Sequence, residues 1–155
     1  VDILSKLPKT EFNQKLAATK WSEILEGLTI AIDMIGAVPK LTSGDYGDLV
    51  QKVKRLGDHS HVQVASTSHR LLSLLAEGLG QGFHPYFRSI VGAMLVKLRD
   101  KKCVSVLGTC LDKVYGNPHS LDQVMDEVVA ALDTKKAIHA RLATLEWVSR
   151  CVAKK

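Results

Sequence analysis

Apolar residues recur along this chain with the spacing of an α-helix, in segments that come in pairs. One stripe contains Ile24, Leu28 and Ile35, and such spacings place side chains on a single helix face. Comparable stripes follow to the end of the chain, without the strict alternation of a β-strand. The pattern predicts an all-α chain of about eight helices. The later stripes contain Leu49, Val53 and Leu56; Leu71, Leu75 and Leu79; Ile90, Met94 and Leu98; Leu107, Leu111 and Val114; Val124, Val128 and Leu132; and Ile138, Leu142 and Leu145.

Short polar turns separate the two segments of each pair. The stretches LGDHSH, LRDKK and ALDTKK each follow one apolar segment and precede the next. Equivalent turns begin near Ala18, Asp58, Asp100 and Asp133, at spacings of about 40, 42 and 33 residues. The three aspartates are expected to cap the following helices by accepting hydrogen bonds from free amide groups. A two-helix unit at this period is typical of an α-solenoid of HEAT-like hairpins.

One helical hairpin cannot bury its own apolar stripe, whereas a stack of hairpins buries a continuous one. We therefore predict a single domain over residues 1–155 with about four repeats. A chain of this length buries roughly 70% of the surface that it exposes when unfolded. The last repeat is expected to expose apolar surface along residues 138–152, since solenoid ends need a cap. The predicted repeats are approximately 8–37, 44–79, 84–115 and 120–153.

Several functional classes are disfavoured by composition. No apolar stretch reaches the roughly 18 residues that a membrane span requires, and the opening VDILSKLPKTEF does not have the pattern of a signal peptide. The three cysteines lack the spacing of a zinc or redox motif, and reduced buried thiols are expected. No set of nucleophile, base and orienting residue is apparent, and GLGQGF follows a helical segment where a dinucleotide site needs a strand. We expect neither an enzyme nor a cofactor or metal ion.

In a stack of hairpins, all the turns inside the hairpins fall on one edge, which we call the hairpin-turn rim. Packed helices lie roughly 8–10 Å apart, so four turns would form a ridge about 30 Å long. The ridge is aromatic at one end and basic at the other, and the net charge of +5 favours an acidic partner. The candidate binding residues are Thr19, Lys20, Trp21, His59, Ser60, His61, Lys101, Lys102, Lys135 and Lys136.

Each of these residues also has a simpler interpretation. Tryptophan is usually buried, but Ile24, Leu25 and Leu28 already supply the buried stripe of this helix, and Trp21 stands in its first turn as interface anchors often do. Surface lysines are commonly only solvated. The His59 and His61 pair lacks further ligands of suitable spacing, so polar turn residues are favoured over a metal site.

The stretch VDILSKLPKTEFNQKLAATKWSEILEGL resembles the opening of a TOG domain from the microtubule polymerase family that includes ch-TOG and Minispindles. The resemblance continues through GDYGDLVQKVKRLGD, GLGQGFHPYFRSIV, VKLRDKKCVSVLGTCLDKVY and EVVAALDTKKAIHARLATLEWVSRCV. It thus covers essentially the whole chain and corresponds to the first four of the six HEAT repeats usual in the family.

The resemblance implies a non-catalytic module that binds αβ-tubulin through the rim. Trp21 would contact β-tubulin, and the four lysines would meet the acidic surface toward α-tubulin. It also implies a cytoplasmic, cytoskeletal location at microtubule ends, spindle poles and centrosomes, with centrosomal or plus-end adaptor proteins as possible partners.

The sequence departs from the family at some rim positions. Ser-Glu-Ile-Leu follows Trp21 where relatives often carry several charged residues, and the turn Asp-His-Ser-His is unusually polar. A fifth basic turn has no counterpart, so tubulin affinity below that of a complete domain is expected. Two alternatives stay open: a scaffold for another protein, and, ranked lower because the rim is short and contains lysine without arginine, a nucleic-acid-binding surface.

Overall fold

The computed structural model describes residues 14–36, 46–115 and 121–153. These ranges contain helices and turns but no β-strand, so the predicted all-α class is confirmed. Residues 14–16 are helical, and short 3-10 helices occupy Gly80–Phe83 and Leu121–Val124. The α-helices are α1 (Trp21–Gly36), α2 (Gly47–Leu56), α3 (Val62–Leu79), α4 (His84–Lys97), α5 (Val104–Val114), α6 (Met125–Ala131) and α7 (Ile138–Ala153).

The helices form two packed layers. Helices α1, α3, α5 and α7 pack one against the next, and α2, α4 and α6 form the second layer in the same way. Each short helix of the second layer also packs against the helix that follows it, which makes α2–α3, α4–α5 and α6–α7 hairpins. This arrangement is the predicted α-solenoid of HEAT-like hairpins. The predicted repeat limits at 8, 37, 44 and 120 lie outside the described residues, and the division into four repeats stays a prediction.

The core runs continuously between the layers because the predicted stripes face each other. Leu71 and Leu75 of α3, Ile90 and Met94 of α4, and Leu107 of α5 are completely buried. Burying a leucine, isoleucine or methionine side chain contributes about 1.5–3 kcal/mol relative to leaving it exposed. The seams between hairpins therefore hold the solenoid together.

The bend between the second and third hairpins depends on a glycine. Helix α3 ends at Leu79, and Gly80 adopts φ 53° and ψ −119°, a conformation that L side chains rarely adopt. Pro85 then stands in the first turn of α4, where its missing amide hydrogen costs nothing. The chain is thereby redirected before the next hairpin begins.

The predicted caps at Asp100 and Asp133 are wrong in detail. Oδ1 of Asp100 accepts the backbone N–H of Lys102 at 3.0 Å, and Oδ1 of Asp133 accepts that of Lys135 at 2.8 Å. The carboxylates therefore stabilise the turns themselves, because they reach the amide two residues ahead. Helices α5 and α7 begin several residues later, at Val104 and Ile138.

The outer face of α7 exposes an apolar stripe, as expected for the last repeat. Ile138, Leu142, Leu145 and Val152 are all more than half exposed. The opposite face of the same helix is buried and includes Trp147. In the described part of the chain, no helix has the length and apolar character needed to cross a bilayer.

Candidate functional site

Two aromatic rings join the first and second turns of the hairpin-turn rim. Trp21 opens α1 and is 43% exposed. Its indole stacks on the imidazole of His61, with ring centroids 4.0 Å apart and planes inclined by 12°. The stack holds the indole in one orientation while leaving much of its surface accessible. Such an aromatic ring is suited to anchor a protein contact.

A histidine shapes the second turn. Nδ1 of His59 accepts the backbone N–H of His61 at 3.0 Å, which fixes the backbone that carries the stacked imidazole. Ser60, between them, is exposed. No group of three or more potential metal ligands occurs among the residues that the structure describes.

The third and fourth turns present the predicted lysine pairs to solvent. Lys101, Lys102, Lys135 and Lys136 are exposed, and none forms an ion pair within the described ranges. The Asp100 carboxylate lies beside a different cation, with Oδ2 3.8 Å from Nζ of the buried Lys97. The outward lysines consequently keep their positive charge available to a partner.

Contacts also connect the later turns with one another. The ring Nε2 of His139, in the first turn of α7, lies 2.8 Å from the backbone oxygen of Arg99 in the third turn. The thiol of Cys103, at the end of the third turn, lies 3.9 Å from the hydroxyl of Ser66 in α3. Together with the aromatic stack, these contacts bring all four turns to the same edge of the solenoid. Thr19 and Lys20 lie at its start, exposed and directly before Trp21.

A buried histidine supports the second turn from behind and was missed at the sequence level. His69 of α3 is 1% exposed, and burial lowers its pKa from 6.5 to about 4. Its ring packs against Gly57, where a Cβ atom would lie only 2.8 Å from ring atoms Cε1 and Nε2. The turn therefore requires glycine at this position, and the imidazole is neutral at pH 7.

Comparison with known proteins begins with a relative in Drosophila melanogaster. The chain is 35% identical over 138 residues to the protein named mini spindles, an alignment that covers 87% of this chain and 7% of that protein. No family model matches the chain.

Solved structures extend the similarity to the fold. One, from work on microtubule plus end tracking by XMAP215, CLIP-170 and EB1, is 32% identical with a TM-score of 0.91 and covers 98% of this chain and 63% of that one. Another, from work on tubulin recruitment and assembly by microtubule polymerases with TOG domain arrays, has a TM-score of 0.88 at 21% identity, over 100% of this chain and 32% of that one. The chain is a relative of mini spindles with the fold of a TOG domain. The resemblance found in the sequence is thereby confirmed for this TOG-type solenoid, which spans a small fraction of the length of mini spindles.

Proposed function

We propose that this TOG-type solenoid binds αβ-tubulin through its hairpin-turn rim and acts without catalysis. The observation that carries the proposal is the exposed, stacked indole of Trp21 at one end of the rim. The other end carries two exposed lysine pairs that form no ion pair with any described residue. The indole would bury apolar surface against β-tubulin. The lysines would lie over the acidic surface toward α-tubulin.

The relatives support this choice of partner. The mini spindles name refers to the spindle, and the two structural neighbours come from work on microtubule plus ends and on tubulin recruitment by polymerases. We accordingly propose that the protein works at microtubule ends, spindle poles or centrosomes. Plus-end or centrosomal adaptor proteins are further proposed partners.

Replacing Trp21 by alanine is expected to weaken tubulin binding at least about 30-fold, since an aromatic interface anchor commonly contributes 2 kcal/mol or more. Co-elution with purified tubulin dimer in size-exclusion chromatography, followed by titration, measures the effect. Leu145→Ala is the matched control, because Leu145 is 51% exposed on the outer face of α7, away from the rim. Equal losses in the two variants would place the interface elsewhere.

Reversing the charge of Lys101 and Lys102 together is expected to slow association with tubulin and lower affinity about 10-fold at low salt, because the effect is electrostatic. Stopped-flow mixing at two salt concentrations separates this effect from misfolding. The matched control reverses Arg70 and Lys113, which lie along α3 and α5 and change the net charge equally. Lys113 also loses a surface ion pair with Glu77 at 3.7 Å, which contributes at most about 1 kcal/mol to stability. If the control pair slows association as much, net charge and not the rim governs encounter.

A further inference from the structure

A groove of about 520 Å³ lies along α4 and α6, in the helix layer opposite to α3 and α5. It is bordered by Lys54 of α2, by α4 from Arg88 to Val96, by α6, and by Ala140 of α7. Arg99 of the third turn and Lys136 of the fourth turn complete the border. We call it the α4 groove. Its volume is within the range of about 300–1,000 Å³ that ligand pockets usually have.

Positive charge predominates in the α4 groove. Among the described residues, four cations and the carboxylates of Asp58 and Glu127 border it. Arg88 is already neutralised, since its guanidinium donates to Glu127 and lies 3.1 Å from Oδ2 of Asp126. Nζ of Lys54 donates to the neutral hydroxyl of Ser89 at 2.7 Å, so its charge is not compensated by that bond.

Two further cations at the groove lack a carboxylate partner. Neither the guanidinium of Arg99 nor the ammonium of Lys136 forms an ion pair within the described ranges. Both side chains are exposed. They stand on the third and fourth turns. The side chain of His139, just after the fourth turn, contacts the backbone oxygen of Arg99 in the third turn. This contact holds the two turns, and so the two charged residues, close to each other.

The floor of the groove is apolar and shallow. It consists of small or aliphatic side chains, among them Val96, Ala130 and Ala137. Val96 is 51% exposed although it belongs to α4, a helix whose other large apolar residues are buried. None of the described residues that line the groove is aromatic, so they offer no stacking surface of the kind that single-stranded nucleic acids require.

We propose that the α4 groove binds a short acidic peptide segment of a protein partner, with an aliphatic side chain seated on Val96 and flanking carboxylates beside Arg99 and Lys136. Charge complementarity selects the acidic peptide, and the alanine-lined floor admits one branched aliphatic side chain. Arg99 and Val96 separate the proposal from tubulin binding, because both are outside the rim residues assigned to tubulin, whereas Lys136 belongs to the rim and to the groove.

The test uses a fluorescein-labelled peptide with one leucine flanked by three glutamates on each side, titrated with the whole chain and followed by fluorescence polarisation. Arg99→Glu and Val96→Asp are each expected to lower affinity at least about 10-fold, as is typical when a charge partner or apolar anchor is lost. Arg70→Glu is the matched control, since it makes the same substitution at an exposed position of α3 that borders neither the groove nor the rim. It is expected to lower affinity by less than about 3-fold.

Four results would overturn the proposal. Equal losses for Arg99→Glu and Arg70→Glu would mean non-specific attraction. Equal binding of a peptide with glutamine in place of glutamate would exclude a charge-selected site. No binding up to about 1 mM peptide would mean an affinity too weak for recognition. Tighter, Arg99-dependent binding of a single-stranded oligonucleotide of equal charge would assign the groove to nucleic acid. Circular dichroism spectra of each variant confirm that the helices are intact.

Discussion

Replacing Trp147 by alanine is expected to lower the free energy of unfolding by about 3–5 kcal/mol, because the substitution leaves a large cavity in a packed core. The indole of Trp147 is 0% exposed and lies edge-on to Tyr115, with ring centroids 6.2 Å apart. It fills the seam between the last two hairpins. Urea denaturation followed by circular dichroism measures the loss.

The other tryptophan supplies the control for this prediction. Trp21→Ala removes a ring of the same type that is 43% exposed, so its cost should be about 1 kcal/mol or less, mainly from the lost stack on His61. Comparable losses for the two substitutions would contradict the assignment of Trp147 to the core and Trp21 to the surface. Because the indole nitrogen of Trp147 has no hydrogen-bond partner, Trp147→Phe should recover most of the stability.

Acid is expected to destabilise the fold through His69. Burial lowers the pKa of this imidazole from 6.5 to about 4, against smaller opposing contributions from Gly57 and Asp58, and Lys97 lowers it further. The unfolded chain therefore binds a proton between these two pH values that the folded chain does not. The stability that depends on the neutral imidazole is fully present above pH 6.5, falls as the pH decreases to about 4, and does not change further below that pH. The free energy of unfolding lost over this range is about 3 kcal/mol.

Urea titrations of the wild-type chain and of His69→Leu at several pH values isolate this effect. The carboxylates that titrate near pH 4 are common to both proteins and cancel in the comparison. Between pH 7 and pH 4, the variant should lose about 3 kcal/mol less than the wild type. Parallel pH profiles for the two proteins would show that His69 titrates normally in the folded state.

The sequence was sufficient to predict the helices and their pairing. The predicted apolar stripes of α3 and α4 recur at helical spacing, and their residues, such as Leu71, Leu75 and Ile90, are buried. The aspartate caps were predicted less well. An aspartate before a helix can accept a hydrogen bond from a helix amide or from an amide of the turn, and at Asp100 the turn geometry selects the turn amide.

The residues of the candidate site also differ in how far the sequence could predict them. Trp21 and the lysine pairs could be chosen from their positions at equivalent turns, which depend on local spacing. The stack of Trp21 on His61 could not, since it joins residues 40 positions apart through the packing of two hairpins. His69 gave no local signal either, because its burial results from the close approach of α3 to Gly57.

Each turn of the rim belongs to a different hairpin. The distance from the indole of Trp21 to the ammonium groups of the last lysine pair is therefore set by the packing between successive hairpins. Buried residues such as Leu72 and Leu107 fix the width of the seams between hairpins, although they touch no partner. Under the proposed binding at the rim, a partner whose acidic patches are spaced differently would fit poorly even when its charge is favourable. Packing in the interior of the solenoid therefore sets the distances between the groups on its rim.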